Sequence, residues 1–387
     1  MILVNAALVP VESPAVERGY LKIEGGKIAA LGPMEELGPT AGEEVMDCSD
    51  LTVYPGFIDC HTHMGMWEDG LGFEGADGNE ETDPATPQLR AIDAVNHRDR
   101  CFAEARAAGV TTVVTGPGSA NCIGGQLCAV KTRMSRIDTG VLRQTAAMKF
   151  ALGENPKTVY NDKEMAPITR MATAAIIREQ LYKAQRYLED RERAAEDEDF
   201  DEPDWDMKCE ALLPLLKGEI GAHFHAHRAD DIFTALRLAR EFGLRPTIVH
   251  GTEGHLIAEA LREEGAPVIC GPLLCDRSKP ELRNLTPKTP GVLAAAGVEV
   301  ALCTDHPVIP IQYLPLEAGL AVRKGMSRED ALRAITLTPA RICGLEGRVG
   351  SLAVGKDADL ALFSGDPFSV YETPRHVFID GEIVNNL

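Results

Sequence analysis

Eight short apolar runs alternate with helix-like stretches through the middle of the chain, and this alternation limits the possible folds more than any other feature. The runs cover residues 57–60, 111–115, 126–131, 146–152, 220–224, 246–249, 267–270 and 298–303. Strand-like runs that alternate with helix-like stretches are typical of βα units with a parallel sheet. Eight such strands predict an α/β fold, the (β/α)8 TIM barrel.

The two ends of the chain have a different pattern, in which short apolar runs are separated by tight turns. Residues 20–23 and 27–31 flank Gly25-Gly26, and residues 359–363 and 376–380 precede Gly381. This pattern is typical of antiparallel strands. Neither end is long enough to bury a core alone, so residues 1–54 and 350–387 together predict a small composite β-sandwich. The barrel is then expected within residues 55–349.

One insertion interrupts the barrel pattern between the fourth and fifth predicted strands, near residues 160–218. Its apolar residues Ile177, Leu181, Ala184 and Leu188 recur at helical spacing and predict one long helix. The acidic run over residues 189–206 is interpreted as a solvated helix end or loop. A lid or a partner surface is the alternative, because a barrel insertion at this point lies on the active-site face.

Composition excludes several classes of protein. The 387 residues carry a formal net charge of −20, whereas nucleic acids and anionic membranes require a cationic face. The ten cysteines occur without CxxC pairs or a short secreted framework, which predicts reduced and mostly buried thiols. No signal peptide or membrane-spanning run is evident, so we expect a soluble cytoplasmic protein.

The first barrel strand ends in His61-Thr62-His63, preceded by Asp59. Alternate residues of a strand point to the same face, so Asp59, His61 and His63 project together. The two imidazoles can then hold one metal ion, with Asp59 orienting them from behind. Two surface histidines with ordinary hydrogen bonds would explain an isolated His-x-His motif equally well. The metal-site interpretation therefore requires further ligands from later strands.

Three later strands end in further groups of this kind. The fifth ends in His223, His225 and His227, and a core strand has no packing use for three imidazoles on one face. The sixth ends at His250, which alone is as compatible with a core position as with a ligand. The eighth is followed by Asp305, a carboxylate that needs a cation or donors to stay ionised when buried.

Together these motifs resemble those of the amidohydrolase superfamily of metal-dependent hydrolases, and the resemblance covers nearly the whole chain. Within that superfamily the chain is similar to the imidazolonepropionase and Xaa-Pro dipeptidase-like group. The matching segments are residues 55–63, 109–113, 338–341, 350–352 and 355–360, together with the three later strand ends.

The resemblance implies a metal-binding site at the mouth of the barrel. Its expected ligands are His61, His63, His225 and His250, and Asp305 is expected to bind metal and to accept the proton of the attacking water. One or two divalent ions per chain are expected, and histidine and carboxylate ligands suit zinc, although iron, manganese, cobalt and nickel stay possible.

The ligand that bridges two metal ions is open between two residues. Binuclear relatives use a carboxylated lysine at the end of the fourth strand, and Lys149 occupies that place. Glu154, five residues later, offers a carboxylate without modification. If neither binds, the site holds a single metal ion.

Other residues near the predicted mouth are substrate-binding candidates. They are His223, His227, Arg228 and Gln126, although a plain loop role is the alternative for Gln126. His306 either stabilises a developing oxyanion or packs. Arg277 and Lys279 are interpreted as solvated loop residues, with neutralisation of an anionic substrate as the alternative.

These features predict an enzyme that hydrolyses a C–N bond in a small amide, cyclic amide or dipeptide-like molecule. Metal-activated water is expected to attack the carbonyl, with Asp305 and His250 as catalytic residues. The alternatives are a deaminase with one metal ion and a non-catalytic assembly protein. We expect a homo-oligomer, most simply a dimer.

Overall fold

The terminal segments and the central segment form two separate sheets in the computed structural model, which describes residues 1–68 and 71–384. The N-terminal strands are β1 (Ile2–Leu8), β2 (Val16–Glu24), β3 (Lys27–Pro33), β4 (Val45–Asp47) and β5 (Thr52–Pro55). The central strands are β6 (Phe57–Thr62), β7 (Val110–Thr115), β8 (Ile123–Lys131), β9 (Val141–Ala151), β10 (Gly221–Ala226), β11 (Pro246–His250), β12 (Val268–Cys270) and β13 (Val300–Leu302). The C-terminal strands are β14 (Leu360–Phe363), β15 (His376–Ile379) and β16 (Glu382–Ile383).

The terminal sheet combines strands from both ends of the chain. Its order is β16-β15-β14-β5-β1-β2-β3, with β4 paired to β1. The sheet curls, so that Lys27 forms a bridge with Asp357 and the two halves face each other. Leu3 and Leu21 of one half share a buried cluster with Leu360 and Phe378 of the other. The predicted composite β-sandwich is therefore confirmed.

The central strands form a nearly closed barrel in the order β13-β12-β11-β10-β9-β8-β7-β6. All eight predicted strands are present, and the expected barrel fold is confirmed. One direction differs: β8 is antiparallel to both β7 and β9, whereas the other neighbouring pairs are parallel. Residues 116–122 connect β7 to β8 without a crossover helix, and an antiparallel pair needs only such a short connection.

The backbone of residues 334–335 closes the barrel between β13 and β6. The Ile58 amide donates to the Ile335 carbonyl at 2.8 Å, and the Leu302 amide donates to the Ala334 carbonyl at 2.8 Å. Closer to the mouth, the His63 amide donates to the His306 carbonyl at 2.8 Å. These bonds satisfy the edges of both strands and fix β6 against the end of β13.

The helices cover the barrel, and three of them lie in the insertion between β9 and β10. They are α1 (Cys101–Ala107), α2 (Ile137–Gly140), α3 (Glu154–Asp162), α4 (Arg170–Glu196), α5 (Met207–Leu216), α6 (Ala229–Phe242), α7 (Ala258–Glu264), α8 (Thr289–Ala295), α9 (Leu314–Arg323), α10 (Arg328–Arg333) and α11 (Leu337–Ile342). The 27 residues of α4 form the predicted long helix and bury Ile177, Leu181 and Ala184. Within the described ranges no helix has the length and apolarity to cross a membrane.

The terminal sheet packs against the barrel at the end where β6 begins. Gly56 joins the two, because its amide donates to the Asp359 carbonyl at 2.8 Å. A Cβ at Gly56 would lie 2.1 Å from Thr111 Oγ1, so the approach of β6 to β7 requires glycine here. Lys131, at the same end, contacts Asp357 at 2.8 Å and Asp359 at 3.0 Å. All ten cysteines are free thiols, and nine are buried, as predicted.

Candidate active site

The opposite end of the barrel, where the parallel strands finish, holds a cavity of about 600 Å³. His63, His225, His227, His250 and Asp305 all line it. They come from the ends of β6, β10 and β11 and from the residues just after β13, so the barrel gathers side chains that are far apart in sequence.

Two of these residues have a strained backbone. His250 and Asp305 have φ values of 72° and 53°, in the left-handed region that non-glycine residues rarely adopt. Such a conformation costs on the order of 1 kcal/mol and is found mainly where function requires it. The strain therefore marks the ends of β11 and β13 as functional positions.

His61, His63 and Asp305 form one compact group. Asp305 Oδ1 lies 3.3 Å from His61 Nε2 and 3.2 Å from His63 Nε2. Ligands at about 2.0–2.1 Å around a tetrahedral ion lie about 3.3 Å apart. The donor atoms of this group therefore fit one divalent metal ion.

His225, His227 and His250 form a second group, whose ligand atoms lie within 4.8 Å of one another. The rings of His227 and His250 stack with centroids 4.6 Å apart, and the His225 ring lies edge-on at 4.6 Å from that of His250. The His250 ring also lies 5.4 Å from that of His61. The two groups therefore adjoin within one cavity.

Oxygen atoms behind the rings hold four of the imidazoles through Nδ1. His63 Nδ1 donates to the Gly116 carbonyl at 2.7 Å, and His250 Nδ1 donates to the Gly271 carbonyl at 2.7 Å. The hydroxyls of Thr252 and Ser119 lie 2.7 Å from His227 Nδ1 and 2.8 Å from His225 Nδ1. A proton on Nδ1 leaves Nε2 as the free ligand atom, the arrangement usual for metal-binding histidine.

Burial keeps the imidazoles of His61, His225, His227 and His250 neutral, which metal binding requires. It lowers the pKa of His250 to about 4 and holds the pKa values of His61, His225 and His227 well below the ordinary value. Burial raises the pKa of Asp305, but the facing imidazoles outweigh it and hold that pKa well below its usual range. Asp305 is therefore ionised at neutral pH.

Asp59 does not orient the imidazoles as expected. Its carboxylate accepts the His61 amide at 3.1 Å and the Thr304 amide and hydroxyl at 2.8 and 2.7 Å. His61 Nδ1 has no hydrogen-bond partner among the described residues. Burial raises the pKa of Asp59 to about 7. Asp59 thus fixes the backbone of β6 and of the segment before Asp305, which positions both ligands indirectly.

Lys149 lies at the first group and is fully buried. Its Nζ is 3.2 Å from His61 Nε2, and burial lowers its pKa to about 8. A lowered pKa makes a neutral amine accessible near neutral pH, and only the neutral amine can be carboxylated.

Glu154 lies elsewhere. It begins α3, where its Oε2 accepts the Glu281 amide at 3.2 Å, and its own amide donates to Glu281 Oε2 at 3.0 Å. It borders a separate small cavity that also includes Lys157 and Arg170. The structure does not bring its carboxylate to either histidine group, because that carboxylate faces the backbone of Glu281.

The structure also places Gln126 and Arg228 away from the main cavity. The Gln126 amide group donates to the Pro87 carbonyl at 3.3 Å and accepts the Thr145 hydroxyl at 2.9 Å. It lies within β8, whose first residue rather than its last faces the mouth. Arg228 precedes α6 and pairs with Asp230 at 2.8 Å.

His223 and His306 are buried but are not among the described residues that line the cavity. Burial lowers the pKa of His223 to about 3, and neither of its ring nitrogens has a hydrogen-bond partner in the described chain. The Ile311 amide donates to His306 Nδ1 at 3.2 Å, which fixes that ring within its own loop. His227, by contrast, lines the cavity beside His225.

Several cavity residues, from loops and from the start of α3, were not assigned to the site from the sequence. Trp67 packs edge-on against His63 at 4.9 Å, and the Asn155 amide nitrogen lies 3.4 Å from His225 Nε2. Lys279, interpreted as solvated, donates to Asn155 Oδ1 at 2.7 Å and lines the cavity. Glu281, its neighbour in the loop after β12, is buried. No periodic pattern identifies such residues, because their positions depend on loop conformation.

Comparison with known proteins agrees with this geometry. Residues 215–384 match the family model described as the amidohydrolase family. An amidohydrolase from Thermotoga maritima MSB8 has a solved structure that is 41% identical, with a TM-score of 0.95 and 99% of each chain covered.

Two curated sequences show more distant similarity. The amidohydrolase tasK of Hapsidospora irregularis is 28% identical over 95% of this chain, which spans only 39% of that protein. An imidazolonepropionase of Acidiphilium cryptum is 26% identical, with 91% of this chain and 88% of that protein covered.

Proposed function

This chain belongs to the amidohydrolase family, and we propose that it hydrolyses a C–N bond in a small amide, cyclic amide or dipeptide-like molecule, with Asp305 as the general base. It is a hydrolase that acts on carbon–nitrogen bonds. The observation that carries the proposal is the group of His61, His63 and Asp305, whose donor separations of 3.2 and 3.3 Å fit one metal ion at the cavity wall.

A bound divalent metal, for which zinc suits these ligands, would polarise the scissile carbonyl and lower the pKa of water. Asp305 contacts both imidazoles through Oδ1, so we assign proton transfer to Oδ2. The carboxylate takes the proton of the attacking water and delivers it to the leaving nitrogen, which departs as a neutral amine. The Gly116 and Gly271 carbonyls keep His63 and His250 oriented during this transfer.

The cavity supports a small-molecule substrate. Its volume of about 600 Å³ is within the range of small-ligand sites, about 300–1,000 Å³. Apolar walls come from Trp67, Leu282 and Val308, and Asn79 and Asn155 supply polar groups. Similarity to a protein named imidazolonepropionase favours a cyclic substrate within the proposed class.

Lys149 has two possible states in this proposal. As a carboxylated lysine it would bridge two metal ions from the His61 side, and as an amine it would contact His61 directly at the observed 3.2 Å. Intact mass of the native protein distinguishes them, because carboxylation adds the mass of carbon dioxide to the chain.

The variant Asp305→Asn tests the proposal. We expect the zinc-loaded wild type to hydrolyse members of a panel of cyclic amides, simple amides and dipeptides. Since asparagine keeps a ligand oxygen but cannot accept a proton, the variant should retain metal and lose about 10²- to 10⁴-fold in kcat. Asp276→Asn is the matched control, because Asp276 lines the same cavity without contacting the histidines.

Full activity of Asp305→Asn would contradict the assigned base. Absence of hydrolysis by the metal-loaded wild type across the panel would contradict the proposed substrate class, and release of ammonia from heterocyclic amines would replace it with deamination.

A further inference from the structure

Glu281 is a buried carboxylate that faces the second histidine group. Only 1% of the residue is exposed, although it lies in the loop between β12 and α8. Its Oε1 lies 3.5 Å from His227 Nε2 and 3.8 Å from His225 Nε2. A buried carboxylate is costly unless a cation or donors compensate its charge.

The two oxygens of this carboxylate have different surroundings. Oε2 accepts the Glu154 amide at 3.0 Å, so this oxygen is fixed by the backbone of α3. Oε1 points toward the imidazoles and has the Lys279 ammonium at 2.6 Å. Lys279 is 27% exposed and reaches this position from the cavity side. Glu281 Oε1 therefore already contacts one cation, the Lys279 ammonium. The same oxygen also faces Nε2 of His225 and of His227.

We propose that Glu281 is a ligand of a second divalent metal ion, held together with His225, His227 and His250. The proposal rests on the proposed hydrolase function, which requires a metal ion in this cavity. It adds a carboxylate ligand that neither the family match nor the sequence pattern assigns.

The distances fit coordination. Two ligands at about 2.0–2.2 Å from one ion are separated by about 2.8–4.4 Å for angles between 90° and 180°. The separations of 3.5 and 3.8 Å from Glu281 Oε1 to the two Nε2 atoms lie in this range. Hydroxyls hold Nδ1 of both rings, which directs Nε2 toward the carboxylate.

Glu281 also explains the position of Glu154. The two loops exchange backbone-to-carboxylate hydrogen bonds, at 3.0 and 3.2 Å, so Glu154 supports the loop that presents Glu281. The carboxylate that sequence reasoning sought near residue 154 is thus supplied from the loop after β12. Lys149 lies beside His61 in the first group. In its carboxylated state it would be a further ligand of this ion, in addition to Glu281.

Lys279 is the competing cation in this arrangement. Its ammonium occupies the coordinating oxygen of Glu281, and it also donates to Asn155 Oδ1 at 2.7 Å. Binding of a metal ion to Oε1 requires this ammonium to move into the cavity. Removal of the ammonium should therefore strengthen metal binding, whereas removal of the carboxylate charge should weaken it.

Metal titration of three variants tests the proposal without relying on activity. Protein stripped with a chelator is titrated with Zn²⁺ against a chromophoric competitor, and bound zinc is counted by mass spectrometry. The variants are Glu281→Gln, Lys279→Met and the matched control Glu253→Gln. Glu253 is equally a buried loop glutamate, but its carboxylate accepts from Ala229 at 2.8 Å and Asn284 at 2.7 Å.

We expect about two ions per chain in the wild type and in Glu253→Gln, with anomalous scattering locating the second ion beside Glu281. In Glu281→Gln the second dissociation constant should rise at least tenfold, and in Lys279→Met it should fall several-fold. Wild-type affinity for both ions in Glu281→Gln would overturn the proposal, as would a single ion located at His61, His63 and Asp305.

Either of those outcomes leaves hydrolysis by the first ion intact and so leaves the proposed function standing. If Glu281→Gln fails to fold, the position of the second ion in wild-type crystals and the direction of change in Lys279→Met still decide the question. Two correctly placed ions without hydrolysis of any panel substrate would contradict the proposed function alone.

Discussion

Replacement of Lys131 by methionine should weaken the attachment of the terminal sheet to the barrel. Lys131 ends β8, and its side chain is only 4% exposed. Its ammonium contacts three carboxylates of the C-terminal segment: Asp357 at 2.8 Å, Asp359 at 3.0 Å, and Asp380. Methionine keeps an apolar stem of similar length and removes only the cation.

The expected loss of stability follows from the burial of this group. Removing one partner of a buried ion pair costs about 3–5 kcal/mol, because the other charge stays buried without compensation. The unfolding entropy of a chain of 387 residues is about 0.8 kcal/mol per kelvin. The variant should therefore melt about 4–6 °C below the wild type. Burial raises the pKa of Asp359 to about 6, so protonation of that carboxyl should reduce the loss below this pH.

The matched control is Lys27→Met, because Lys27 binds the same carboxylate of Asp357 from the surface, with 47% of its side chain exposed. Solvent screens the Lys27 ammonium, and Lys131 and Arg348 still compensate the charge of Asp357. The variant should therefore lose about 0–1 kcal/mol and melt within about 1 °C of the wild type. Calorimetry at pH 8 compares the melting temperatures of the wild type and of the two lysine variants, all saturated with metal. Equal melting temperatures for the two lysine variants would refute the conclusion that burial makes Lys131 the dominant contact.

Two further variants probe buried residues that support the segments around the cavity. Burial raises the pKa of Glu317 from 4.5 to about 7, so its stabilising contribution is complete below about pH 4.5 and is lost as pH rises to about 7. Glu317→Gln keeps an acceptor for the Leu273 amide, so its free energy of unfolding in urea should lack this decrease of about 3 kcal/mol. Identical pH profiles of the unfolding free energy in the variant and the wild type would contradict the assignment. Gly78→Ala places a Cβ 1.9 Å from Trp67, which should displace the indole and lower the free energy of unfolding by about 1–3 kcal/mol. Because Trp67 lines the cavity, KM should rise as well. Gly347→Ala, with nothing within 4 Å, is its control, and unchanged KM and tryptophan emission in Gly78→Ala would show that the wall tolerates the methyl group.

The fold could be predicted because its signals are local. The barrel strands contain short apolar runs, and β7 is buried at every residue, as expected for strands covered on both faces. The helix α4 repeats its apolar residues at helical spacing. The direction of β8 could not be predicted, because an apolar run has no preferred orientation. Only the length of the connection, residues 116–122, distinguishes an antiparallel return from a crossover.

The candidate site was predictable where its residues end strands. His61, His63, His225, His250 and Asp305 meet because parallel strands of one barrel finish at the same edge. Side chains supplied by loops were not predictable in the same way.

The error at residue 154 illustrates the reason. Closeness in sequence to Lys149 made Glu154 a candidate ligand, but the helix that begins there points its carboxylate at the loop after β12. Glu281 is distant in sequence and reaches His227 only through the conformation of that loop. A contact of this kind depends on tertiary structure that no local pattern encodes.

The reversed strand β8 also limits how the substrate range of this barrel can diversify. The β7–β8 loop, residues 116–122, supplies the Gly116 carbonyl to His63 and the Ser119 hydroxyl to His225. An insertion or deletion there would disturb both histidine groups at once, while the far end of β8 carries Lys131 and the anchor of the terminal sheet. The loop after β6 pairs with the reversed strand as well, through bridges from Ala85 to Ile123 and from Arg90 to Gln126. Evolution of specificity is thereby directed to the segments after β9 and β12, which supply Asn155 and Lys279 to the cavity.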